Sequence, residues 1–81
     1  MKITVKFIQE RNEDGERYYA FLDRSRNEFR LYIENKIDMK IYEWYEISAT
    51  ILGEGYSSPV ESQAIHTIIT DVKVIRQVEI E

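Results

Sequence analysis

Apolar and polar residues alternate from the first positions of the chain. In residues 2–9, KITVKFIQ, Ile3, Val5 and Phe7 fall on one side and Lys2, Thr4 and Lys6 on the other, the period-two pattern of a half-buried strand. Asn12–Gly15 is polar, and Asp14-Gly15 is a hairpin turn signal. A second strand follows over 17–23; with Tyr19 and Phe21 inward, Tyr18 and Ala20 point outward. Ser25–Asn27 supplies the next turn. Residues 28–34 form a third strand, with Phe29, Leu31 and Ile33 on one face and Arg30 and Tyr32 on the other. Three consecutive strands joined by short turns predict a meander.

The second half is less regular. In 35–43, NKIDMKIYE, the apolar positions Ile37, Met39 and Ile41 suit either an extended segment or a single helical turn. Trp44–Leu52 is a fourth strand, with Tyr45, Ile47, Ala49 and Ile51 assigned to one face. Gly53–Gln63 holds two of the three glycines and the only proline, Pro59, and is expected to be a long loop. Residues 64–75 give a fifth strand, kinked near Thr70-Asp71, with RQVEIE as its candidate extension.

Five strands in an open layer would leave one apolar face bare and two edges unpaired. Closure into a barrel removes both problems. The expected fold is therefore all-β: a single domain over 1–81, built as a small five-stranded Greek-key barrel of OB-fold type, with an SH3-like barrel as the alternative. Long opening strands, an irregular segment before the fourth strand and a long loop before the fifth favour the OB-like choice.

Composition agrees with a compact domain. The 81 residues are 43% hydrophobic and 12% aromatic, too apolar for a disordered chain. Apolar runs are too short for a transmembrane helix, and MKITVKF lacks the apolar stretch of a signal peptide. The absence of cysteine excludes disulfides, thiolate metal sites and a cysteine nucleophile, and suits a cytoplasmic location.

Charge narrows the function. A net charge of −4 argues against a protein that coats duplex DNA electrostatically. It leaves room for a local basic face, and Lys2, Lys6, Arg11, Arg17, Arg24, Arg26 and Arg30 all lie in the first 30 residues, interspersed with carboxylates. Catalytic chemistry finds no foothold. His66, the only histidine, alternates with Ile65 and Thr67 and reads as outward and solvated. Ser57 and Ser58 belong to no nucleophile motif, and the carboxylates have no metal-loop spacing. Phosphate-loop and dinucleotide fingerprints are missing. Trp44 reads as a core or barrel-end plug. The expectation is a non-enzymatic protein with no cofactor and no metal.

Three stretches carry a resemblance. ITVKFIQER is similar to an opening strand of alternating apolar residues ending near an arginine. GERYYAFLDRSRNEFRLYI is similar to a glycine turn, an aromatic-led strand and an Asp-Arg-Ser turn. YEISATILGEG, a proline-containing loop and AIHTIITDVKVI are similar to a closing pair of strands. In this order they resemble the anticodon-binding OB domain of the aspartyl, asparaginyl and lysyl class II aminoacyl-tRNA synthetases. Phe7 stands near the place of that family's usual first-strand glycine, a departure from the pattern. The resemblance implies a stand-alone nucleic-acid-binding relative, because no synthetase catalytic domain fits in 81 residues. It also implies that the aromatic leading the second strand stacks on a base. Counted from Asp23-Arg24-Ser25 this is Tyr18; counted from Phe21-Leu22-Asp23 it is Phe21. Alternation favours Tyr18, since Tyr19 and Phe21 are then buried together.

Physical chemistry supports such a surface. An exposed tyrosine stacks on any base, and arginine pairs with phosphate or stacks in turn. The candidate contact residues are Lys6, Arg11, Tyr18, Arg30 and Tyr32, and the expected partner is single-stranded DNA or RNA. The alternative is a protein-interaction or oligomerisation module that docks on a protein or on its own copy through an edge strand or the 53–63 loop. No membrane role is expected.

Overall fold

The computed structural model describes residues 1–13, 15–33, 36–56 and 65–80, without the side chains of Glu13 and Tyr56. Its strands are β1 (Lys2–Glu13), β2 (Glu16–Asp23), β3 (Glu28–Tyr32), β4 (Trp44–Tyr56) and β5 (Ile65–Val78). They close into a barrel in the order β1-β2-β3-β5-β4, with β4 returning to β1. Neighbours are antiparallel except β3 and β5, which run parallel. No helix occurs among the described residues, so none is long and apolar enough to cross a membrane. The architecture is all-β and compatible with the OB-like barrel expected from the alternation.

Inward side chains fill the cylinder: Val5 and Phe7 from β1, Tyr19 and Phe21 from β2, Phe29 and Leu31 from β3, Tyr45, Ile47 and Ala49 from β4, and Ile69 from β5. Phe7 anchors the aromatic part, with its ring centre 5.7 Å from those of both Tyr19 and Phe21. Residues 36–43 form neither helix nor strand. Ile37 and Met39 pack half-buried against the core, while Ile41 stays exposed. The Tyr42 N–H donates to the Phe7 carbonyl at 2.6 Å and the Phe7 N–H to the Glu43 carbonyl at 3.1 Å, prolonging the contact between β1 and the start of β4.

The turns follow side-chain chemistry. Gly15, at φ 82°, ends the β1–β2 connection in a conformation that a Cβ would strain; Asp14 lies outside the described residues. Between β2 and β3, the Asp23 carboxylate accepts the Ser25 and Asn27 N–H groups at 2.9 Å each and the Asn27 side-chain amide at 2.9 Å. This local network holds Arg26 at φ 65° and explains why DRSRN makes so compact a turn. Burial works against charge on Asp23 but is outweighed by the hydrogen bonds from Asn27 and Ser25, which hold the carboxyl below its ordinary pKa.

All five strands depart from the expected bounds: β2 begins one residue early, at Glu16, and β3 ends at Tyr32, short of the expected 34. β1 continues to Glu13 through a register shift between Phe7 and Gln9. β4 continues to Tyr56, so residues 53–56 of the expected loop are strand; the remainder, 57–63, lies outside the described residues. β5 extends to Val78, and its expected kink is present as Asp71 at φ 54°, beside a register shift against Ser48 and Thr50. Ile51, assigned inward by alternation, is 53% exposed. On the β1 side of β4, pairing ends at Met1, which exchanges backbone hydrogen bonds with Ala49, so Ile51, although opposite the core residue Ile69, lies past the covered part of the barrel.

Candidate nucleic-acid interface

The register sets the outer face of β1, β2 and β3 out in rows. Arg11, Tyr18 and Tyr32 are cross-strand partners in one row. Gln9, Ala20, Arg30 and Ile68 form the next. Lys6, Leu22, Glu28 and His66 form the third, flanked by Trp44 at one end and Gly55 at the other. Opposed residues in a ladder share a face, so all the candidate residues lie on the same side of the sheet. Arg11 reaches it only because of the β1 bulge. Uninterrupted alternation would keep it in phase with Phe7, pointing inward; the extra residue between Phe7 and Gln9 reverses the phase.

Sharing a face is not the same as being accessible. Tyr18, expected to be an exposed stacking ring, points away from the core but is only 1% exposed. The Arg30 guanidinium carbon lies 4.4 Å from the centre of its ring, and the Tyr32 ring packs against it at 5.3 Å between centroids. Arg30, expected as a free contact, is 7% exposed and forms a salt bridge through Nε to Glu28. Desolvation disfavours the charge on Arg30, but hydrogen bonds to Glu28 and Tyr32 and the negative charge of Glu28 outweigh it, holding the guanidinium above its ordinary pKa. Tyr32 forms the outer layer of this stack and is 39% exposed. Tyr18 and Arg30 therefore make a floor, and Tyr32 is the ring a ligand can reach.

The basic candidates at the rim differ. Arg11 is exposed. Lys6 is half-buried, with its ammonium 5.5 Å from the centre of the Trp44 ring. Trp44 itself is half-buried and outward, not the expected core plug. Its parity was available in the sequence: if Tyr45 and Ile47 face inward, Trp44 faces out. His66 also corrects the reading from alternation. It points outward, in register with Glu28 and Gly55, but is buried at 4% exposure. Gly55 makes the space for it, because a Cβ there would lie 2.8 Å from His66 Nε2.

Beyond Tyr32 the surface opens into a trough of about 1060 Å³ reached from the end of the β1–β2 hairpin. Arg17, on its wall, forms a salt bridge to Glu10 at 3.2 Å. Among the described residues no group of three or more His, Asp or Glu side chains is placed to hold a metal ion. The chain matches no family model, no curated protein and no solved structure at a significant level.

Proposed function

We propose that this chain binds single-stranded nucleic acid, without catalysis, across the outer face of β1, β2 and β3. The observation that carries the reading is Tyr32: an accessible ring, 39% exposed, supported from beneath by Tyr18 at 5.3 Å between ring centres. A stacking ring held in place loses little freedom when a base lands on it, so more of the stacking energy appears as affinity. Arg11, in the same row, is the cation placed to meet the adjoining phosphate, and Lys6 beside Trp44 extends the basic edge. The resemblance to synthetase anticodon-binding domains points to the same face but to Tyr18; the burial of Tyr18 is what moves the proposed base contact to its cross-strand partner Tyr32.

Titration of a fluorescent oligonucleotide at two salt concentrations tests the reading. Two phosphate contacts give a slope of log K on log salt of about −1.4 for a single strand. Absence of binding at low salt overturns it. The competing reading is a protein-docking module. It is favoured by Ile51 and Leu52, 53% and 67% exposed on β4 beyond its last residue paired with β1, and by the acidic net charge of −4.

A further inference from the structure

We propose that the trough beside Tyr32 is a base-reading subsite selective for an unpaired guanine; this rests on the single-strand reading above. The trough is lined by Asn12, Glu16 and Arg17 from the β1–β2 hairpin, Tyr32 and Ile33 from the end of β3, and Ile68 from β5. Its apolar lining, the Tyr32 ring with Ile33 and Ile68, suits the face of a base. Its polar groups decide which base.

A phosphate is poorly served here. Arg17 is the only cation on the described lining, and Glu10 at 3.2 Å offsets its charge, while Glu16 adds a negative one. The trough is therefore biased toward a neutral group that donates hydrogen bonds. The Glu16 carboxylate has no hydrogen-bond or ion-pair partner among the described residues, and neither does the Asn12 amide. An ionised carboxylate only accepts, through two oxygens that can receive two parallel N–H groups.

Among the bases, guanine alone carries two adjacent donors on its pairing edge, the ring N1–H and the 2-amino group. Adenine and cytosine set a ring acceptor beside their amino group, which would oppose one carboxylate oxygen. Uracil and thymine offer one N–H between two carbonyls. In a duplex the guanine edge is occupied by cytosine, so the subsite requires an unpaired base.

The test uses fluorescence anisotropy with the full chain and three labelled strands of equal length: oligouridine, the same strand with a central guanine, and the same strand with hypoxanthine in its place. Hypoxanthine keeps N1–H and lacks the 2-amino group. The guanine strand is expected to bind about fivefold to tenfold tighter than the other two, the discrimination of a modest bidentate contact. Glu16→Gln, which replaces one acceptor oxygen by a donor at an exposed position, should abolish that preference and leave oligouridine affinity within about twofold. Equal affinity for all three strands, with Tyr32→Ala weakening each, overturns the guanine subsite and leaves the single-strand reading standing. A guanine preference that survives Glu16→Gln also overturns it. Failure of every strand to bind removes both.

Discussion

The guanidinium of Arg30 covers the outer side of Tyr18, with 4.4 Å between its central carbon and the ring centre. Arg30 thus fills the place that a ligand base would need, and it is itself held by Glu28. Replacing Arg30 by alanine uncovers Tyr18 and removes the ion pair to Glu28. The expected loss is about 2–3 kcal/mol, below a fully buried pair because Glu28 retains some exposure. Arg30→Lys should recover only part of it, since an ammonium lacks the planar fork. Urea denaturation reads both variants, and a loss under about 0.5 kcal/mol for the alanine variant would show that the contact contributes little.

Tyr18 and Tyr32 should separate stability from binding. Tyr18 is buried, so Tyr18→Ala is expected to cost about 3–4 kcal/mol of stability through lost packing. Tyr32 is the outer ring of the pair, so Tyr32→Ala should cost under about 1 kcal/mol of stability but about 1–3 kcal/mol of single-strand affinity. Tyr32→Phe should preserve stacking. Chemical denaturation and oligonucleotide titration on the same preparations check the division. An unchanged affinity in folded Tyr32→Ala would end the stacking role.

What the sequence disclosed follows from how local each feature is. Tyr19 and Phe21 alternate with Tyr18 and Ala20 over four residues, and that period alone assigns their faces. Assignment to a face does not set exposure. Tyr18 is covered by Arg30 and Tyr32, side chains that β2–β3 pairing brings beside it from another strand. The β1 bulge was hidden because KFIQER reads equally well with either phase, yet that bulge decides where Arg11 points. Ile51 keeps the face of its core partner Ile69 yet is exposed, because alternation says nothing about where the neighbouring strand stops. Burial of His66 depends on Gly55 across the β4–β5 ladder, a pairing known only once the register is fixed. The Asp23-Arg24-Ser25 turn was legible because its contacts lie within four residues.

That turn makes stability depend on pH. The folded Asp23 carboxyl lies below its ordinary pKa, so the folded state holds this proton less tightly than the unfolded chain. Its contribution is fully present above the unfolded value of about 3.9 and is lost as pH falls through the lower folded value. Asp23→Ala should cost about 1 kcal/mol near neutral pH by removing its hydrogen bonds, and should flatten the acid limb below pH of about 4. Thermal melts of both proteins from neutral to acidic pH provide the check. Parallel acid limbs would mean that other carboxylates govern that transition.

Tyr19 carries a hydroxyl buried in the core with no hydrogen-bond partner among the described residues. Leaving such a group unpaired costs about 1–3 kcal/mol relative to leaving it in water. Phenylalanine keeps the ring, including its packing 5.7 Å from Phe7, and deletes the unpaired oxygen. Tyr19→Phe should therefore leave stability unchanged or raise it by about 1 kcal/mol, less any loss from the small space vacated. A rise in the urea midpoint supports the account. A fall exceeding about 1 kcal/mol would show that the hydroxyl has a partner essential to the fold.

Gly55 and His66 should behave as one unit. A Cβ on Gly55 would lie 2.8 Å from His66 Nε2 and 3.1 Å from Cε1, closer than non-bonded atoms tolerate. His66 is buried, so its ring has little room to retreat. Gly55→Ala should consequently destabilise by about 1–3 kcal/mol, the range of an overpacked site. His66→Ala removes both the ring and its interactions, and is destabilising for that separate reason. With the ring gone, however, the added methyl meets no obstacle, so Gly55→Ala in the His66→Ala background should be nearly neutral. A double-mutant cycle by urea denaturation measures this coupling, expected at about 1 kcal/mol or more in the rescuing direction. Strictly additive losses would mean that Gly55 is needed for its backbone alone, and that the space it leaves for the imidazole has no energetic consequence.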